Sequence, residues 1–247
     1  MRRIRITVAY DGTEYHGWQV QPGLETVQGW LERVLTEIES AQVDVHGSGR
    51  TDAGVHAVGQ VAAFSLENPI PCDNLRRAMN RLLPRDIRVM DVAEAAPEFH
   101  PRFQAKAKTY EYRLWRGEIC PPMKRLYVCH HPYPLDEAAM MQMAPLYEGE
   151  HDFTAFAAAD EKDALGASKV RQVLSARLWR EGDELIFRVR GSGFLKHMVR
   201  MMTGTLVEVG KGNLARADFL ARLEAGFAGK AGPAMPATGL CLISVEY

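Results

Sequence analysis

An arginine and a carboxylate stand two residues apart in the stretch His46-Gly47-Ser48-Gly49-Arg50-Thr51-Asp52-Ala53-Gly54-Val55-His56-Ala57. A short alternating run, Val43-Asp44-Val45, precedes it, and a β-rich run from Val58 to Leu66 follows. Gly47, Gly49 and Gly54 can take backbone angles that other residues avoid, and they let a ligand come close. Loops held between strands are where reactive side chains tend to sit. A carboxylate presented in this way can attack an electrophilic carbon or stabilise a positive charge developing beside it. The same residues also describe a tight turn whose Asp bonds to its own backbone. Composition alone favours the turn.

Comparison with known motifs changes that balance. Gly49-Arg50-Thr51-Asp52-Ala53-Gly54-Val55-His56-Ala57 resembles the active-site signature of the tRNA pseudouridine synthases that modify the anticodon arm. Tyr10-Asp11-Gly12-Thr13-Glu14-Tyr15-His16-Gly17-Trp18-Gln19-Val20-Gln21 is similar to the N-terminal strand and loop of that family. Thr26-Val27-Gln28-Gly29 resembles the start of its first helix, and Phe103-Gln104-Ala105 with Lys108-Thr109-Tyr110-Glu111-Tyr112-Arg113 its central tyrosine motif. Glu148-Gly149-Glu150-His151-Asp152-Phe153-Thr154-Ala155-Phe156 and Gly193-Phe194-Leu195-Lys196-His197-Met198-Val199-Arg200 resemble two C-terminal motifs. These stretches keep the family's order and span nearly the whole chain. The departures are small: Met201 follows Arg200 where the family often has Asn, and Ser192 stands where Asn is common.

The resemblance implies an isomerase that turns uridine into pseudouridine at tRNA positions 38, 39 and 40. That reaction gains and loses no atoms, so no redox cofactor, ATP or metal is expected. The chain carries no P-loop and no G-x-G-x-x-G. The chemistry needs one ionised carboxylate, and the resemblance makes it Asp52. It implies that Arg200 is the cation keeping Asp52 charged, since a guanidinium does not lose its proton. Tyr110 matches the family's active-site tyrosine, whose ring can stack on the target base. Arg50 matches the arginine that helps expel the target nucleotide from its stack, a step costing a few kcal/mol. Leu240 matches the apolar residue lining the uracil pocket. His56, His197 and Met198 match motifs without a role that can be derived, and Met198, Met201 and Met202 suit a core. Taken without the family, Tyr110 and Leu240 read as core residues and Arg200 as a surface arginine on an amphipathic helix.

Two other classes are open. An RNA-binding module that has lost catalysis would have no reason to keep Asp52, Arg50, Tyr110 and Arg200 together. A glycoside or nucleoside hydrolase usually needs two carboxylates flanking the bond, and only Asp52 sits in a site-like motif. The resemblance also implies a homodimer in which one tRNA contacts both subunits.

Composition is that of a globular chain of 247 residues, 47% hydrophobic and 25% charged. No apolar run reaches the ~20 residues of a membrane helix. Asp11, Glu14 and His16 interrupt the stretch where a secretory leader would need its apolar region. Four dispersed cysteines without a CxxC pair read as reduced thiols of a cytoplasmic protein. Cys120, Cys129, His130 and His131 fit no common zinc spacing. The net charge is −1, yet charge is segregated. Residues 100–131 hold seven Lys/Arg against two acids, 76–88 five arginines against one acid, and 136–163 eight acids against one lysine. Local basic patches suffice to contact phosphates, although each block alone reads as a solvated face.

These groups must be positioned by regular elements. Ile4, Ile6, Val8 and Tyr10 alternate, which predicts a first strand. Val27, Trp30, Leu31, Val34, Leu35 and Ile38 follow at helical spacing after a Thr26 cap. Strands near 42–46 and 58–66, a helix carrying Leu75 to Leu82 and ended by Pro84, and a strand near 86–94 complete a β-α-β-β-α-β order, an α+β arrangement. The second half predicts a strand at 105–116, with Tyr110, Tyr112 and Leu114 on one face. A helix near 135–147 follows, then a hairpin of 172–181 and 184–190 around Gly182-Asp183. Helices at Phe194–Val209 and Ala215–Ala225, a Gly/Pro-rich linker 226–239 and a last strand at 240–247 close the chain. The 160–168 loop reads as polar linker. Val45-His46-Gly47-Ser48-Gly49 and Val189-Arg190-Gly191-Ser192-Gly193 both place Gly-Ser-Gly after a strand. The resemblance implies a pseudouridine synthase fold. Its two similar α/β halves, here residues 1–102 with the Asp loop and 103–247 with the Tyr strand and Arg helix, carry a mixed, mainly antiparallel sheet flanked by helices.

Overall fold

The computed structural model describes residues 1–159 and 167–247; most of the polar linker at 160–168 lies outside the described residues. The chain is α+β and forms two compact units, residues 1–106 with 241–247, and residues 107–240. Residues 241–247, expected to close the second half, belong instead to the first unit, where they add a strand to its sheet.

In the first unit, strand β1 (Arg2–Tyr10) alternates as its sequence predicts, with Ile4, Ile6 and Val8 fully buried. It pairs antiparallel with β3 (His56–Leu66) and with β4 (Ile87–Glu94). Strand β10 (Leu240–Glu246) joins β3 in parallel through Cys241 and Leu242, giving the order β4-β1-β3-β10. Helix α1 (Val27–Glu39) starts at Thr26, whose hydroxyl accepts from Gly29 N at 3.3 Å and satisfies one of the open amides of the first turn. It buries Val27, Leu31, Val34 and Leu35. Helix α2 (Cys72–Leu82) buries Leu75 and Met79. It stops at Leu83 because a residue preceding proline is driven to extended angles, here φ −68° and ψ 146°.

The strand expected near 42–46 shrinks to β2 (His46–Gly47). Val43 and Val45 are buried as the alternation requires, but their segment's backbone bonds to a helix rather than to a strand. Val45 N donates to Glu32 Oε1 at 3.1 Å, and Val45 O accepts from Gln28 Nε2 at 3.0 Å.

The second unit has the strand order β5-β9-β8-β7. These are β5 (Ala107–Trp115), β7 (Gly149–Asp152), β8 (Val170–Glu181) and β9 (Glu184–Gly191), all antiparallel, with β6 (Cys129–His130) parallel to β5. The hairpin of β8 and β9 turns at Gly182-Asp183 as predicted. The expected helix at 135–147 divides into α3 (Glu137–Met143) and a 3-10 turn (Ala144–Tyr147), because Pro145 cannot donate to the helical ladder. Tyr147 is fully buried among Phe156, Phe187 and Phe219, with ring centroids 5.5, 6.1 and 4.9 Å away. Its hydroxyl donates to Met202 O at 2.9 Å, so burial leaves no polar cost there.

Helix α4 (Met198–Gly210) begins four residues later than its apolar pattern suggests. Lys196 O accepts from Ala158 N at 3.0 Å, and His197 takes a left-handed conformation at φ 62°. Leu195 therefore precedes the helix. The helix is also not amphipathic in place: it is buried nearly all round, with Met198, Met201 and Met202 in the core. Helix α5 is limited to Arg216–Ala221. Among the described residues no helix is long and apolar enough to cross a membrane.

Candidate active site

Arg50 and Asp52 lie on the loop between β2 and β3 of the first unit, Arg50 exposed and Asp52 half-buried. The loop is braced on several sides. Behind it, the Tyr10 and Thr51 hydroxyls are 2.8 Å apart, and both residues are buried. Thr51 O accepts from Trp18 N at 3.1 Å. Val55 N returns to Asp52 O at 3.1 Å, and Gly54 N donates to Tyr15 O at 3.2 Å. On the entering side, the Ser48 hydroxyl donates to Gln60 Oε1 at 2.6 Å, and Gln60 Nε2 donates to Gly49 O at 3.0 Å. Each of these bonds ties the backbone next to Asp52 to a buried element, so the carboxylate is carried on a fixed frame.

Several partners in this frame escape a sequence reading. Gly17 packs its backbone on the loop: a Cβ built there would stand 2.5 Å from Thr51 O and 3.1 Å from Asp52 C. Its φ of +87° suits glycine as well. The Trp18 indole lies on Gly47, where a Cβ would come within 2.5 Å of Nε1. Of the three loop glycines, Gly54 has a positive φ, 77°, whereas Gly47 is required for this close approach. His56, which had no derivable role, is buried, and its Nδ1 accepts from Gly12 N at 3.0 Å. The Asp11 carboxylate stands 3.2 Å from the same ring nitrogen. The signal for all of these was the motif Tyr10 to Gln21, whose purpose becomes visible only when the loop it braces is in view.

The second unit carries Tyr110, Arg200 and Leu240. Tyr110 is buried on β5 with its ring edge-on to Phe194 at 5.1 Å. Tyr112, two residues along the same face, is fully buried, and its hydroxyl donates to Pro236 O at 2.7 Å. Burial pushes the Tyr112 hydroxyl above the ordinary tyrosine range, with the Arg200 charge acting weakly in the opposite direction. Arg200 is half-buried on α4, and its Nε donates to Met235 O at 2.6 Å while its own carbonyl accepts from Met235 N at 3.2 Å. Gly239 meets the Tyr112 ring, where a Cβ would come within 2.6 Å. Residues 235–239 are thus strapped to both α4 and β5, and buried Leu240 follows directly. The last part of the segment that reads as a Gly/Pro-rich linker, residues 235–239, is thus a strap.

The basic blocks are less available than their sequence suggests. Arg113 pairs with Glu111 at 2.5 Å and with Glu184 at 2.7 Å, Arg116 pairs with Glu137 at 2.9 Å, and Lys124 pairs with Glu184. Glu111 and Glu184 are buried, and a buried carboxylate without such partners would be costly. By contrast Arg77, Arg81 and Arg85 of the 76–88 block are exposed. Among the described residues no group of three or more His, Cys, Asp or Glu could hold a metal ion.

Comparison with known proteins bears on the same residues. A family model described as tRNA pseudouridine synthase matches residues 6–104 and 143–247, which include the Asp52 loop, the Arg200 helix and Leu240. The tRNA pseudouridine synthase A of Solibacter usitatus is 59% identical over 247 residues, covering 100% of both chains. The tRNA pseudouridine synthase A 1 of Desulfotalea psychrophila is 41% identical over 251 residues, again covering 100% of both. That of Anoxybacillus flavithermus is 45% identical over 249 residues, covering 100% of this chain and 99% of its own. Likeness of this extent leaves no segment of the fold outside the comparison, and the chain belongs to the tRNA pseudouridine synthase family.

Proposed function

We propose that this protein isomerises uridine to pseudouridine at positions 38, 39 and 40 of the tRNA anticodon stem-loop, with Asp52 as the nucleophile. The observation that carries the reading is the frame around Asp52: buried Thr51, Ser48, Gln60 and His56 hold a half-buried carboxylate on a loop that also presents an exposed arginine. In the reaction the bond between uracil N1 and the sugar breaks, the base turns, and a bond forms at C5. The C5 proton leaves and N1 regains one, so nothing is consumed. The Asp52 carboxylate adds to the base or ribose, or stabilises the cation that develops on the sugar.

A base in a stacked stem is out of reach and must be turned out. Arg50 takes its place in the stack. Tyr110, Arg200 and Leu240 bind the uridine: the tyrosine ring offers a base platform, the guanidinium a permanent charge, and the leucine an apolar wall. The strap at 235–239 supports this assignment, because it holds Arg200 and leads directly into Leu240. The protein acts as a homodimer in the cytoplasm, where its tRNA substrate is. A concentration series in sedimentation equilibrium tests the dimer, and a monomer at every concentration would remove it.

Incubating an unmodified tRNA transcript with the protein and mapping the modified positions tests the function. Asp52→Asn removes the charge at nearly constant shape, so it should form no pseudouridine while still binding the transcript. Turnover by Asp52→Asn would remove Asp52 as the nucleophile. A wild-type protein that binds the transcript without converting it would be an RNA-binding module.

A further inference from the structure

An exposed aromatic side chain on a rigid loop is unusual. It gives up the favourable burial of its ring, and without mobility it gains nothing in entropy. Phe103 is such a residue, 78% exposed. The loop that carries it is pinned at both ends. Arg3 Nε donates to Phe99 O at 3.0 Å and the Tyr247 hydroxyl to Pro101 O at 2.8 Å on the entering side, and Lys106 N donates to Glu246 O at 2.8 Å on the leaving side. Between these anchors Arg102 N donates to His100 Nδ1 at 3.2 Å, and Gln104 N to His100 O at 3.2 Å.

Phe103 does not stand alone. Its ring centroid is 4.3 Å from that of His100 at an interplanar angle of 34°, and His100 is stacked on His46 at 5.5 Å and 28°. The result is a run of three rings with Phe103 outermost. Burial, followed by the neighbouring His46, Arg3 and Arg102, holds the His100 imidazole below the ordinary histidine range. It is therefore an uncharged ring at neutral pH. Positive charge stands alongside the rings. The Arg102 guanidinium is 6.0 Å from the Phe103 centroid, and residues 99–106 include Lys106 and no acid. His46 also opens the loop that carries Arg50 and Asp52, so the ring run begins four residues before the proposed site arginine.

A flat apolar ring with its outer face in water, flanked by cations, matches a nucleotide: the ring takes the base and the cation takes the phosphate. We infer that Phe103, backed by His100 and His46, is a stacking platform for an unpaired base of the RNA substrate other than the uridine that reacts. Arg102 meets the backbone phosphate beside that base. This inference rests on the tRNA reading above.

The test is titration of wild type, Phe103→Ala and Phe103→Trp with an unmodified tRNA transcript at one salt concentration, with pseudouridine formation followed in parallel. Stacking of a base on a protein ring covers a range of about 5- to 150-fold in affinity. Phe103→Ala should weaken binding within that range, with the loss on Kd rather than on the rate at saturating tRNA. Its melting temperature should match wild type, because an exposed ring contributes little to the core. Phe103→Trp should restore affinity, and its emission should change when tRNA binds. Wild-type affinity in Phe103→Ala would overturn the platform. So would a failure of Phe103→Trp to restore a lost affinity. A change in oligomeric state with unchanged tRNA affinity would make the ring a protein contact and would also overturn it. If wild type binds the transcript but forms no pseudouridine, the isomerase reading fails while the binding series still decides the platform.

Discussion

Alanine at Gly17 should damage the Asp52 loop far more than it destabilises the protein. The added Cβ would stand 2.5 Å from Thr51 O, 3.1 Å from Asp52 C and 3.2 Å from Ala53 N. All three are backbone atoms, so no side chain can rotate away. To reach ordinary contact the Thr51 carbonyl must move by roughly 0.9 Å. Thr51 is held by Tyr10 and Trp18, so part of that shift passes to Asp52. A displacement of ~1 Å at a reacting group can cost about 100-fold in rate. There is also a conformational cost, since Gly17 has φ +87° and a left-handed alanine costs about 1–2 kcal/mol. Gly23 separates the two effects. It has φ +74°, and a Cβ added there would meet nothing within 4 Å, so Gly23→Ala carries the conformational cost alone. Both variants should lose about 2–8 °C in melting temperature for that cost. In single-turnover assays on a tRNA transcript at saturating enzyme, Gly17→Ala should fall by up to about 100-fold and Gly23→Ala by less than about twofold. A wild-type rate in Gly17→Ala, or an equal loss in Gly23→Ala, would refute the bracing argument.

Other perturbations check separate parts of the structure. Arg200→Lys keeps the charge but loses the Nε bond to Met235 O, a charged hydrogen bond contributing about 1.5–3 kcal/mol. The melting temperature and the single-turnover rate should both drop, and a variant that melts and turns over like wild type would show that the strap does not depend on this bond. Replacing exposed Arg77, Arg81 and Arg85 together by Gln should lower the slope of log Kd against log salt by about 2–3. Arg113→Gln should leave that slope unchanged, since Glu111 and Glu184 already take its charge; the reverse pattern would relocate the RNA surface. Burial works to raise the Glu184 carboxyl, but hydrogen bonds from Lys124 and Arg113 outweigh it and hold its value below the ordinary 4.5. The stability Glu184 contributes is therefore present above pH 4.5 and is lost as pH falls through the lower folded value. Glu184→Gln should flatten the acid side of the stability profile, and an unchanged acid slope would remove the network from acid unfolding.

Local order was legible wherever a residue acts on its immediate neighbours. Thr26 caps α1, Pro84 ends α2, Gly182-Asp183 turns the second-unit hairpin, and Ile4, Ile6 and Val8 bury as their alternation requires. The α+β class and the residues 50–52 loop followed from the same short-range rules and from the motif order. The helix expected at 135–147 is divided by its own Pro145, but three other misreadings share one cause, namely partners distant in the chain. Val43 to Val45 alternates like a strand, yet Gln28 and Glu32 of a helix take its backbone bonds. Phe194 to His197 has a helical pattern, yet Lys196 O is claimed by Ala158. The basic block at 100–131 reads as free charge, yet Glu137 and Glu184 pair with its Arg113, Arg116 and Lys124.

Residue types and motif order therefore determined most of the elements and the family and pointed to the Asp52 carboxylate, because propensity, capping and motif spacing are properties of short segments. Tertiary structure decided what holds that carboxylate still. Gly17 against Thr51, Gly12 on His56 and Gln60 under Ser48 are contacts between segments 30 or more residues apart in two cases. It also turned the last part of a Gly/Pro-rich linker into a strap on Arg200 and Tyr112. Hydrogen bonds and close backbone contacts depend on distance in space, and that distance exists only after the chain has folded.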